Sequence, residues 1–147
     1  ICGNGGSAAD AQHLVAELLI RLRPGVDRAP LPAMTLAQDT STITACANDY
    51  SFDQLFARTL RAFARSGDCL LGISTSGNSK NVRYALEEAK KLNVKSFSFL
   101  GAGGGTCLGV SDLSFVVPSG NTASIQEAHI VAGHALMQYI EEKVCGV

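Results

Sequence analysis

The run Ser74-Thr75-Ser76-Gly77-Asn78-Ser79 constrains this chain more than any other segment. It follows an apolar stretch, Cys69-Leu70-Leu71-Gly72-Ile73, and precedes a helix-like stretch from Lys80 to Leu92. A buried strand that turns through small polar residues straight into a helix is a strand–turn–helix unit, and repeated units of that kind build a parallel sheet. The turn also has a chemistry. A helix start offers unpaired N–H groups and the partial positive end of the helix dipole, both of which favour an anion. Serine and threonine hydroxyls add donors without bulk, and Gly77 lets the backbone come close to a ligand. These features point to the phosphate of a small molecule. The plainer alternative is an ordinary serine-rich loop in which Ser79 serves only as a helix N-cap.

The rest of the chain keeps the same alternation. Ile1-Cys2 reads as the end of a first strand, so an N-terminal portion is expected to precede it. Gly3 to Ser7 is a tight loop, and Ala8 to Leu22 a helix. Arg23 to Pro30 is a loop, Leu31 to Ala37 a second strand, and Thr40 to Ala47 a short helix. Phe52 to Ala64 carries apolar residues at helical spacing (Phe52, Leu55, Phe56, Leu60, Phe63). The third strand follows the Gly67-Asp68 turn, and Val94 to Leu100 is the fourth. Gly101 to Gly105 reads as a flexible connection, Leu113 to Val117 as a fifth strand, and Ser124 to Lys143 as a long final helix. The spacing predicts an α/β fold with a mostly parallel sheet covered on both faces, and ligands in such folds sit at the C-terminal ends of the strands. Both Gly3–Ser7 and Ser74–Ser79 follow strands and would share that rim.

Composition narrows the function. A chain of 147 residues fits one domain, and 46% hydrophobic residues are enough for a core. A net charge of −1 gives no broad basic surface for nucleic acid. No apolar stretch approaches the ~20 residues that cross a bilayer. The five cysteines (Cys2, Cys46, Cys69, Cys107, Cys145) are odd in number, widely spaced and free of any Cys-x-x-Cys. That argues against a disulfide scaffold or a thiolate zinc site, fits a reducing cytoplasm, and leaves most of them as small core residues.

Several constellations carry chemistry with alternatives beside them. Gly3-Asn4-Gly5-Gly6-Ser7-Ala8 matches the glycines of a dinucleotide loop. However, the acidic residue that such a site wants near the end of strand 2 falls late, at Ala37-Gln38-Asp39, and no Lys follows in the P-loop manner. A loop touching a sugar phosphate through Asn4, Ser7 and the backbone N–H groups of Gly5 and Gly6 fits better; a bare tight turn is the other option. His13 and Glu17 are four apart and share a helix face. There they could hold one divalent metal, handle one proton, or simply hydrogen-bond at the surface. Gln126, His129 and His134 share the last helix. Gln126 and His134 lie eight residues apart, about 12 Å along a straight helix, which is far for two ligands of one ion. Either the helix starts irregularly near Gln126 or different subunits supply the two groups, and each histidine could instead be a satisfied core or interface residue. Asn48-Asp49 could cap a helix near Ser51 or bind sugar hydroxyls.

Taken together and in order, Gly3-Asn4-Gly5-Gly6-Ser7-Ala8-Ala9-Asp10-Ala11-Gln12-His13, Glu17, Asn48-Asp49-Tyr50, Ser74-Thr75-Ser76-Gly77-Asn78-Ser79, Ile125-Gln126-Glu127-Ala128-His129 and His134 resemble the phosphoheptose (sedoheptulose 7-phosphate) isomerases of the sugar isomerase (SIS) domain family. The likeness spans the whole chain. It implies a three-layer α/β sandwich with a five-stranded parallel sheet, an additional N-terminal helical segment, and a homotetramer with active sites near subunit contacts. It also implies exchange of sedoheptulose 7-phosphate and D-glycero-D-manno-heptose 7-phosphate, which opens the route to nucleotide-activated heptose for surface polysaccharides. By the same resemblance Ser74, Thr75, Ser76 and Ser79 would grip the phosphate, and Asn4, Gly5, Gly6, Ser7, Asn48 and Asp49 would meet the sugar. Glu17 and His134 would move protons, and Zn2+ would sit among His13, Glu17, Gln126 and His134. One position departs from the family: Ser124 stands where a basic residue is expected before Ile125-Gln126-Glu127. Two other functions suit the same domain. One is a non-catalytic regulator, such as a replication-initiation regulator, in which loss of the acid–base pair is expected. The other is an isomerase of a pentose or hexose phosphate.

Overall fold

The computed structural model describes residues 1–37 and 39–147. Its elements alternate as the spacing predicts. Helix α1 spans Gly6–Leu19, α2 Thr40–Asp49 and α3 Leu55–Phe63, the last preceded by a 3-10 turn at Phe52–Gln54. Strand β1 (Cys69–Ser74) leads through the serine-rich loop into α4 (Lys80–Lys91). Strand β2 (Lys95–Gly101) is followed by a 3-10 segment at Ala102–Cys107, then β3 (Leu113–Val117) and α5 (Thr122–Cys145). The three strands are parallel in the order β1-β2-β3, with Cys69 opposite Lys95 and Phe97 opposite Leu113.

The five-stranded expectation is met by three strands among the described residues. Cys2 forms a single parallel bridge to Gly72, donating to Leu71 O at 2.9 Å and accepting from Ile73 N–H at 2.8 Å. The predicted second strand, Leu31 to Ala37, is not a ladder. It lies against Ile1 through Leu36 N–H to Ile1 O (3.0 Å) and the terminal ammonium to Met34 O (2.8 Å). Ile1 and Cys2 lie between this segment and β1. The chain therefore passes in the expected place without the periodic hydrogen bonds that define a strand. Gln38 lies outside the described residues. Its neighbour Asp39 caps α2, accepting from Thr42 N–H and Thr42 Oγ1 at 2.7 Å each, so it is not the free acid a dinucleotide site needs.

Alternation along the strands separates two cores. Leu71, Ile73 and Phe99 face one side with Leu14 of α1 and Met137 of α5. Leu70 and Leu100 face the other with Leu55, Phe56 and Leu60 of α3 and Val82, Ala85, Leu86 and Ala89 of α4. The layers are thus α1/α5, sheet, α3/α4, the architecture that side-chain alternation in a doubly covered sheet requires. Cys2, Cys46 and Cys107 are buried as small core residues, and burial pushes the Cys2 thiol up to about 12. Cys69 is exposed and Cys145 half-buried. No described helix is long and apolar enough to cross a membrane.

Candidate functional site

The serine-rich loop is built around Gly77. Its φ of 65° lies in the left-handed region, and a Cβ there would run into the Gly104 carbonyl, so only glycine fits. Gly77 N–H donates to Ser74 O at 3.1 Å, and Cys107 N–H donates to Gly77 O at 2.8 Å. Asn78 ties the far side, accepting from Thr106 N–H at 3.0 Å. The segment expected to be a flexible Gly101–Gly105 connection is instead this loop's seat, with Gly103, Gly104 and Gly105 all at positive φ.

The hydroxyls are arranged for a ligand more than for a cap. Ser79 occupies the N-cap position of α4 but makes no side-chain capping bond among the described residues. Its Oγ pairs with Ser74 Oγ at 2.9 Å. Ser74 is buried, Thr75 half-buried and Ser76 exposed, with Ser76 Oγ accepting from Asn78 N–H at 3.1 Å. The start of α4 and the four hydroxyls of Ser74, Thr75, Ser76 and Ser79 could together cradle an anion.

The first loop touches this one. Asn4 and Asn81 exchange a reciprocal pair of amide bonds at 2.8 and 2.9 Å, and Asn81 also accepts from Val82 N–H at 2.9 Å. The amide of Asn4, expected to meet a sugar, is thus engaged with a buried partner. Sequence reading passed over Asn81 because an asparagine in the first turn of a helix looks like any local cap. Ser7 is buried in the first turn of α1, and Gly5 and Gly6 are exposed there. Gln126 Nε2 packs directly against Gly6, leaving no room for a Cβ.

The acid–base candidates meet elsewhere. His13 Nε2 lies 2.8 Å from His134 Nε2 and 3.4 Å from Glu17 Oε1, and the two imidazoles meet edge to face at 5.0 Å. One imidazole must donate and the other accept across that contact. Donor atoms of His13, Glu17 and His134 all lie within 4.8 Å of one another. Two imidazoles and a carboxylate at that spacing are a zinc-type donor set. Glu17 is largely shielded, with 16% of its side-chain surface exposed, and His13 is open at 47%.

Gln126 is placed against the start of α1. Helix α5 is regular from Thr122, which removes the irregular start as an explanation, and Gln126 sits at Gly6, some seven residues and about 10 Å along α1 from His13. Asn48 and Asp49 are also apart. They close α2 with an Asn48 Nδ2 to Asp49 Oδ1 bond of 2.8 Å, and among the described residues α2 packs on α3 and the Phe52–Gln54 turn but not on α1 or α5. Neither caps a helix at Ser51: the Phe52–Gln54 turn begins without a side-chain cap. His129 is a core residue, 1% exposed, donating to Leu100 O at 3.0 Å beside Phe99 and Phe115. Burial lowers its pKa and raises that of nearby Asp10. Ser124 lies exposed in the first turn of α5, where its N–H donates to Asn121 Oδ1 at 3.0 Å.

Comparisons with known proteins fit this geometry. The SIS domain family model matches residues 1–101. The phosphoheptose isomerase of Chlorobaculum parvum is 54% identical over 142 residues, covering 96% of this chain and 68% of that protein. The phosphoheptose isomerase of Leptospira biflexa is 48% identical over 145 residues, covering 99% and 74%. Among solved structures, a phosphoheptose isomerase from Francisella tularensis superposes with a TM-score of 0.90 at 41% identity, and one from Neisseria gonorrhoeae with 0.85 at 43%. Each covers 96% of this chain and 74% of that one.

Proposed function

We propose a function from one premise, that this chain belongs to the SIS domain family: it is an aldose–ketose isomerase that converts sedoheptulose 7-phosphate to D-glycero-D-manno-heptose 7-phosphate. The observation that carries the reading is the convergence of Glu17 and His134, 117 positions apart in sequence, around His13. We read residues 1–147 as one such domain.

Ketose–aldose exchange removes a proton from C1, passes through an enediol or enediolate, and returns a proton to C2. O2 gains a proton as O1 loses one. Glu17 suits the carbon proton, since a carboxylate shielded on a helix face can shuttle it without wide exposure to water. His134 suits the oxygens, because an imidazole can donate at one atom and accept at another. Each such group typically contributes about 10²–10⁴-fold. His13, Glu17 and His134 would hold Zn2+, which when bound supplies Lewis-acid stabilisation of the oxyanion. Ser74, Thr75, Ser76 and Ser79 anchor the phosphate, with the N–H groups of Gly5 and Gly6 alongside; the Ser7 N–H is held by the Asn4 carbonyl at 3.0 Å. Anchoring a non-reacting group positions the reacting one.

The layout supports an assembly. Glu17 lies eleven residues beyond Gly6, about 16 Å down α1 from the loops that would take the phosphate. Gln126, Asn48 and Asp49 are likewise set apart from the acid–base cluster of their own chain. A homotetramer in which neighbouring copies complete each site accounts for all of these separations. A cytoplasmic setting suits its free thiols and a phosphorylated sugar substrate. Retention of both Glu17 and His134 argues against a non-catalytic regulator.

The test is incubation of full-length protein with sedoheptulose 7-phosphate, with and without added Zn2+, followed by NMR. An aldose heptose phosphate is expected. A preference for a pentose or hexose phosphate would transfer the mechanism to another sugar, and no isomerisation of any phosphosugar would end the reading.

A further inference from the structure

Arg28 was no part of the sequence expectations, yet its side chain is 1% exposed and every part of it is engaged. Nη2 donates to the carbonyl of Glu17 at 2.6 Å, and Nη1 donates to the carbonyls of Leu18 (2.8 Å) and Ala29 (3.0 Å). Nε donates to Glu141 Oε1 at 2.8 Å. Glu141 is itself 0% exposed, and its second oxygen accepts from Arg23 Nε at 2.8 Å. Arg28 thus sits at the C-terminal end of α1, where orphan carbonyls and the negative end of the helix dipole favour a cation, and joins that end to α5.

The two helices so joined carry the acid–base pair. Glu17 is the very residue whose carbonyl Arg28 holds. His134 stands seven residues before Glu141, two turns up the same face of α5 and about 10 Å along its axis. A second contact fixes the approach nearer the cluster: a Cβ at Gly133 would lie 2.7 Å from Leu14 Cδ2, so the helices touch closely beside His13 and His134. Contact at Gly133 sets separation but allows sliding. The Arg28–Glu141 pair sets axial register.

Building on the isomerase reading above, we propose that Arg28 and Glu141 are positioning residues, a buried clamp that holds Glu17 of α1 in register with His134 of α5. A buried ion pair of this kind is a poor device for stability, since packed apolar residues of equal volume often do as well. It is a good device for fixing one geometry, because planar guanidinium forks accept few alternatives. The serine-rich loop lies on β1 and α4, so substrate anchoring and catalytic register are separable.

The experiment compares full-length protein with Arg28→Lys, which keeps the charge but not the fork, and Arg28→Met, which keeps much of the bulk. Folding and oligomeric mass are checked by circular dichroism and light scattering. In folded Arg28→Lys, kcat is expected to fall at least tenfold while KM for sedoheptulose 7-phosphate stays within about threefold. Affinity for Zn2+ alone, measured against a chromophoric chelator, is expected to fall at least tenfold. If Arg28→Met does not fold, Arg28→Lys decides. Unchanged kcat and Zn2+ affinity in a folded variant overturn the clamp, as does a loss of activity that only tracks the unfolded fraction. A parent protein without turnover sinks the isomerase reading and leaves the clamp to the Zn2+ titration. A parent that neither turns over nor binds Zn2+ overturns both.

Discussion

The two halves of the candidate site are made in opposite ways. The anion cradle is local: six consecutive residues from Ser74 to Ser79, bounded by one strand and one helix. The acid–base cluster is distant: His13 and His134 are 121 positions apart and meet only because α1 packs on α5. A local site is specified by turn chemistry, and here it needs only a main-chain seat from Gly104 to Cys107 beyond β1 and α4. A distant one inherits every error in how two helices pack, so it needs mounts, here Gly133 against Leu14 and Arg28 against Glu141. Substitutions in the first region should change what binds, and those in the second how fast it reacts.

The sharpest way to break this division is Glu17→Gln. Turnover is expected to fall by about 10²-fold or more, with calorimetry still registering sedoheptulose 7-phosphate. Substantial residual turnover would remove Glu17 from proton transfer, and loss of binding would merge the two regions into one. Ser76→Ala with Ser79→Ala is the reciprocal probe. Loss of two hydrogen bonds to a charged group predicts a KM rise of roughly tenfold or more with little change in kcat. A fall in kcat alone would argue that the loop does not anchor the ground state.

The smallest effect concerns acid. Hydrogen bonds from Arg23, then from Arg28, hold the Glu141 carboxyl below the usual carboxylate range. Between the lowered folded value and the ordinary unfolded one, the unfolded chain binds more protons, so this contribution is present above the unfolded value and lost as pH falls through the folded one. Thermal melts of Glu141→Gln are expected to show a Tm lower than the parent's near neutral pH by roughly 5 °C, with the gap closing toward strong acid. A constant gap at every pH would mean that the carboxylate charge is not what the parent loses in acid.

How much was legible in the sequence follows the same split. Residues Ser74 to Ser79 and the helix after them could be read from spacing, because strand periodicity, turn residues and helix periodicity are all short-range. The pairing of His13 with Glu17 was also legible, being one turn of one helix. Spacing alone left His134 undecided, since it looks like His129 on the same helix, and only packing shows that one faces α1 while the other lies under Leu100. Arg28 was illegible because an arginine between prolines in a loop has no periodic neighbours to reveal burial. The Leu31–Ala37 segment shows that β-type residues in the expected place do not by themselves make a ladder, because strand propensity depends on context.

The glycine seat beneath Gly77 has a consequence for how such a protein can diversify. Main chain rests on main chain there, with no side chain between to be trimmed or enlarged. Mutation therefore has no gradual handle on the curvature of the anion-holding turn. New sugar preferences would have to arise at surfaces where side chains set the dimensions, while the phosphate end stays a fixed coupling common to all of them.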